Sequence, residues 1–191
     1  MNNDQTTARI LAFDPSTNKM GQTVISFNAI TGELLEIEHK LINSAKLPLD
    51  QQRVAIFGET SAKIDAAAKV AKQTMADIEP ICVAYESNYI SVKTPGAVGP
   101  LVALETTMKA VAWDHDPQMP FHMVLPNKAK QAIGASGNAG KDDVREAFCK
   151  FQPITSKLSC DPSTMDHNVM DSIIIGYTVY RQYVNGEYNF Y

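Results

Sequence analysis

The chain has 191 residues, 45% of them hydrophobic and 20% charged, the proportions of a globular protein large enough for one domain with a full core. No apolar run reaches the ~18 residues of a membrane helix, and the polar start (residues 1–7) lacks the apolar centre of a secretory leader. The net charge of −4 does not announce a nucleic-acid binder, but residues 87–157, with 8 Lys/Arg against 6 Asp/Glu, form a net-positive middle compatible with DNA.

Residues 10–13, Ile-Leu-Ala-Phe, predict a buried strand, and 21–27, rich in β-branched residues, a second. Residues 28–33, with Gly32 near the tip, predict a hairpin-like connection to a half-exposed third strand at 34–42. A helical period over about 50–75 puts Val54, Phe57, Ile64, Ala68 and Ala71 close to one face, and Pro80 stops it. A strand at 81–85, a helix at 97–113, a strand at 121–125 and a short helix at 128–133 follow. Lys141-Asp142-Asp143 opens a helix with Val144, Ala147, Phe148 and Phe151 on its core face, and a last helix runs from about 168 to 183. A three-strand meander followed by alternating helix and strand predicts a single α/β domain, one mixed sheet with helices on its faces and a short tail at 185–191. Cys82, Cys149 and Cys160 are odd in number and lack metal-type spacing; they are expected as reduced thiols in a cytoplasmic protein, two of them buried.

Asp14 and Glu86 each end an apolar strand, and Asp171 opens the apolar stretch Ile173-Ile174-Ile175. A carboxylate just past a buried strand lies at the rim of the sheet, where α/β folds gather their chemistry. Three converging carboxylates repel one another unless cations sit between them, which is the layout of a Mg²⁺-dependent phosphoryl-transfer site. Each acid also has a plainer reading, since Asp14-Pro15-Ser16 is good turn chemistry and Glu86 can simply be solvated. Tyr89, three residues after Glu86, either packs on its neighbours or stacks on a base beside the metal. Asn168 and His167 fall three and four residues before Asp171 on one helix face, while Asp166 either faces elsewhere or caps the helix. His167 is open to three roles: ligand, general base or surface residue. The run 134–141 superficially matches a phosphate-binding loop but has Ala135 at the first glycine position and Asp142 after Lys141, and it follows a helix, so no nucleotide site is expected. Flanked by Lys130 and Lys141, this Gly-rich loop instead suits a DNA backbone.

Taken together, these pieces resemble the RuvC family of Holliday-junction resolvases, endonucleases of the ribonuclease H fold, over roughly residues 8–184. Residues 10–16 followed by Gly21 are similar to the family's first strand and aspartate, and Glu86 to its second acid. Tyr89 stands where the family carries a junction-contacting aromatic. Lys130 to Gly134 followed by Lys141 resembles its pair of DNA-contacting lysines, and Asp171-Ser-Ile-Ile-Ile-Gly resembles its last helix. Asn168 departs from the pattern, standing where a carboxylate or His is usual; His167 or Asp166 can take that place after a small shift. The resemblance implies a ribonuclease H-like sheet of five strands, its first three an antiparallel meander. It implies a homodimer acting on four-way DNA junctions and leaving 5′-phosphate nicks, with two Mg²⁺ per site and Mn²⁺ as a substitute. The ions would be held by Asp14, Glu86 and Asp171, with His167, Asn168 and Asp166 as candidates for the remaining position and His167 also as a catalytic group. DNA contacts are expected from Tyr89, Lys93, Lys128, Lys130 and Lys141. A nuclease of the same fold acting on flaps, forks or RNA, and a non-catalytic protein binding branched DNA, are the competing expectations. A sugar kinase or actin-like ATPase would need a second Gly-rich phosphate loop, and none is present.

Overall fold

The computed structural model describes residues 6–87 and 95–187, the side chains of 95–97 excepted. β1 (Thr7–Asp14), β2 (Lys19–Asn28) and β3 (Leu34–Asn43) form the expected antiparallel meander. β4 (Cys82–Glu86) joins β1 on its free side and β5 (Phe121–Val124) joins β4, both in parallel, which gives the order β3-β2-β1-β4-β5. Parallel neighbours need a crossover. α1 (Gln51–Phe57) and α2 (Glu59–Ile78) supply the one before β4, and α3 (Pro95–His115) the one before β5.

Side-chain alternation along the strands sorts the interior into two layers. Leu11 and Phe13 of β1, with Val83 and Tyr85 of β4, pack against Ile64, Ala71 and Met75 of α2 and Leu104 and Met108 of α3. Ile10 and Ala12, with Cys82 and Ala84, point the other way into a cluster with α7 (His167–Val184). α4 (Pro126–Ala132), α5 (Lys141–Lys150) and the short α6 (Gln152–Thr155) contribute Ala129, Val144, Phe148 and Ile154 to that second layer. α7 is buried from Val169 to Tyr180 except at Asp171, as a helix apolar on nearly every face must be. It lies directly on the sheet because Gly176 allows it: a Cβ there would come within 2.9 Å of the Ala12 Cβ. Its position along its own axis is set by the Ser172 and Thr23 hydroxyls, which meet at 2.7 Å.

Three expectations need correction. The helical pattern over 50–75 is two helices, because Gly58 sits at φ 82°, where L residues rarely go, and turns the chain between α1 and α2. Phe57 therefore leaves the core face and is 66% exposed. Of the thiols only Cys82 is buried; Cys149, on the flank of α5, is half-buried, and Cys160, in the loop ahead of α7, is exposed. Among the described residues no helix is long and apolar enough to cross a membrane.

Candidate active site

The parallel register of β1 and β4, Ile10 with Cys82 through Phe13 with Tyr85, sets Asp14 next to Glu86 at the ends of adjacent strands, about 4.8 Å apart in backbone spacing. Both continue the parity of Ala12 and Ala84, so both side chains face α7. Asp14 is also paired with Gly21 on β2. A Cβ on Gly21 would lie 1.8 Å from the Asn168 carbonyl oxygen and 2.9 Å from the Val169 nitrogen. The first turn of α7 thus rests on the residue opposite Asp14, and Asp171, at the next turn, is brought over the Asp14–Glu86 pair. Gly21→Ala is expected to push this turn away, at an overpacking cost of about 1–3 kcal/mol. Thermal denaturation should show that loss, and any activity of the site should fall further than stability alone explains.

The three carboxyls act on one another. Burial, then the charges of Glu86 and Asp171, push Asp14 up to about 9, and its carboxyl hydrogen-bonds to that of Glu86. Glu86 is raised by burial and by Asp171, with Asp14 and Lys130 pulling it back. Asp171 is raised by burial, against the charges of His167, Lys141, Lys130 and Arg145. The charges of Lys130, Lys141, His167 and Arg145 only partly offset burial and mutual repulsion, so all three carboxyls stay raised. The donor set is all oxygen, which suits a hard divalent cation such as Mg²⁺ or Mn²⁺. Among the described residues no three His, Cys, Asp or Glu are already spread in a metal-holding arrangement. The fit therefore rests on the charge deficit of the trio and on its oxygen chemistry.

Lys130 and Lys141 both lie on the site. Lys130 Nζ donates to the Ala139 carbonyl at 2.8 Å, tying the Gly-rich loop back to α4. A small cleft of about 50 Å³ is lined by Glu86, Ala129, Lys130, Asp171, Ile174 and Ile175. Lys141 opens α5 and its charge reaches Asp14 and Asp171. Lys128 is exposed on α4 and is not among the charges acting on the acids. Asp166 is the N-cap of α7: its carboxylate accepts the Asn168 N–H at 2.9 Å. His167 opens α7 close enough to act on Asp171, while Asn168 is held through its backbone. Tyr89 and Lys93 lie outside the described residues. Arg145, not anticipated from sequence, also bears on Asp171. Its signal was present, since it follows Lys141 by four residues and so shares that helix face.

No protein-family model and no curated protein sequence matches this chain. Among solved structures it is similar to Thermus thermophilus RuvC, at 16% identity and a TM-score of 0.65 over 93% of this chain and 96% of that one. It is similar to T. thermophilus RuvC in complex with a Holliday junction substrate, at 14% identity and a TM-score of 0.63 over 91% and 93% of the two chains. The yeast mitochondrial Holliday junction resolvase aligns at 12% identity and a TM-score of 0.57 over 94% of this chain and 81% of that one. The chain has the RuvC-type, ribonuclease H-like fold, as the resemblance of its motifs implied.

Proposed function

We propose that this protein is a Mg²⁺-dependent endonuclease that resolves four-way DNA junctions by paired nicking, in DNA recombination and repair. The observation that carries the reading is the convergence of Asp14, Glu86 and Asp171 at the rim of a RuvC-type sheet, with Lys130 and Lys141 beside them. Asp14, Glu86 and Asp171 would hold Mg²⁺, two ions per site with Mn²⁺ as a substitute, and the bound metal would supply the charge to activate a water and stabilise the leaving 3′-oxygen. The protein's own part is to hold and orient. Asp14 and Glu86, on rigid strands, fix one side of the scissile phosphate. Asp171 fixes the other from α7, and His167 adds a donor or base at the helix start. Lys130 and Lys141 hold flanking phosphates as point charges. Lys128, exposed on α4, extends this surface, and Tyr89 and Lys93, which lie outside the described residues, are proposed as further DNA contacts.

A four-way junction is pseudo-symmetric, so a homodimer places one site on each of two opposed strands. α3 offers a face for a second copy: Val102 is 46% and Trp113 65% exposed on a helix with few charges, and Ala103 and Ala110 lie open between them. Trp113→Glu is expected to weaken the dimer by about 2 kcal/mol or more, read by sedimentation equilibrium.

Side-by-side cleavage of a four-way junction, a flap, a fork and an RNA–DNA hybrid tests the substrate. Preference for the junction supports resolution; preference for a flap or hybrid keeps the metal chemistry and moves the substrate. Tight junction binding without cutting under any metal would mark a non-catalytic binder and point to Asn168 as the reason.

A further inference from the structure

Arg145 lies on α5 one turn after Lys141, on the side of the helix that meets the approach to α7. Its Nη1 donates to the Ser163 carbonyl at 2.9 Å and its Nη2 to the Met165 carbonyl at 3.0 Å. Those carbonyls belong to the strap that enters α7: a 3-10 turn at Pro162–Thr164, then Met165, then the N-cap Asp166. Met165 is buried, so the strap is packed through its side chain and held through its backbone by one guanidinium. A planar fork spanning two carbonyls fixes their separation, which an ammonium, a point charge with three rotatable donors, does not do. On the sheet side the same segment is set by its close approach to Gly21. Two independent contacts therefore define where α7 begins, and the first turns of α7 carry His167, Asn168 and Asp171.

We propose that Arg145 is a positioning residue for the nuclease reaction: its fork couples α5, which carries Lys141, to the start of α7, and so holds His167 and Asp171 in line with Asp14 and Glu86. The inference rests on the nuclease reading above. The guanidinium charge is also one of those acting on the Asp171 carboxyl. Arg145 touches neither substrate nor metal in this account; it acts through the backbone it grips.

The test compares wild type, Arg145→Ala and Arg145→Lys by single-turnover cleavage of a four-way junction at saturating Mg²⁺. Junction affinity and amide hydrogen exchange of the metal-free proteins are measured alongside. A misplacement of about 1 Å at a reacting centre costs on the order of a hundredfold. Arg145→Ala is accordingly expected to lower the rate at least about tenfold, with affinity held within about twofold. Exchange at residues 163–168 should accelerate, and Arg145→Lys should recover an intermediate rate. A wild-type rate in a variant whose strap amides exchange faster would reduce Arg145 to a stability contact and overturn the proposal. Affinity lost in step with rate would make it a phosphate ligand, which also overturns it. Should Arg145→Ala not fold, the Lys variant decides alone: an intermediate rate supports the proposal and a wild-type rate overturns it. If wild type cuts no junction, the nuclease reading itself has failed, and the wild-type lane shows that without reference to any variant.

Discussion

Asp14→Asn is expected to abolish junction cleavage, leave junction binding intact and stabilise the metal-free protein. The amide keeps the size of the side chain and can still donate to Glu86, so the local packing of β1 against α7 has no reason to change. It cannot supply the negative charge that draws a divalent cation to the rim of the sheet. Several kcal/mol of transition-state stabilisation depend on that charge, so the rate should fall by on the order of 10³ or more. Phosphate contacts from Lys130 and Lys141 do not pass through Asp14, so affinity in a gel-shift assay should hold. Stability should rise because a carboxyl pushed up to about 9 by burial and two neighbouring acids destabilises the fold at neutral pH. Each 1 kcal/mol regained raises the melting temperature by about 2–4 °C in a chain of this size. Retained cleavage would sink the site assignment. Equal loss of binding and cleavage would mean that Asp14 is needed for the fold.

The metal-free protein should lose stability as pH rises, opposite to the behaviour of a salt-bridged carboxylate. Asp14 titrates at about 9 in the fold against an ordinary value of 3.8. Between those values the unfolded chain has released the proton and the folded chain retains it. The unfolded state therefore binds fewer protons, and the unfolding free energy falls with rising pH. The contribution is fully present below 3.8 and is lost as pH passes through about 9. Glu86 and Asp171, raised from the same causes, act in the same direction. Thermal melts in chelator at about pH 5 and about pH 8.5 should therefore differ, with Asp14→Asn flattening the difference. Mg²⁺ added at the higher pH should restore what was lost, by about 2.7 kcal/mol at a hundredfold excess over its dissociation constant. A metal-free profile that is flat or rises over this range would contradict the burial and mutual repulsion of these carboxyls.

Much of this site was legible in the chain because its parts are local. Each of Asp14 and Glu86 directly follows a short apolar run, and alternation alone places them on the same face as Ala12 and Ala84. Asp171 lies in a helix whose apolar stretch marks it as buried. The contacts that bring the acids together were not legible, because they join residues far apart in sequence. Gly21 reads as the opening of a strand, and only the packed structure shows that α7 needs its missing side chain. Arg145 reads as one more charge on an exposed helix until its fork is seen on the Ser163 and Met165 carbonyls. Gly58 was a weak signal inside a sound helical period, and its positive φ is what turns Phe57 outward. Spacing left Asp166 either facing elsewhere or capping the helix, and its bond to the Asn168 N–H makes it the cap.

The most direct measurement is cleavage of an end-labelled four-way junction beside an arm-matched linear duplex, with and without Mg²⁺. Paired cuts are expected in the junction alone, with 5′-phosphates that a ligase can reseal, and none in chelator. Cutting that persists in chelator, or that falls equally on the linear duplex, would contradict metal-dependent junction resolution at this site.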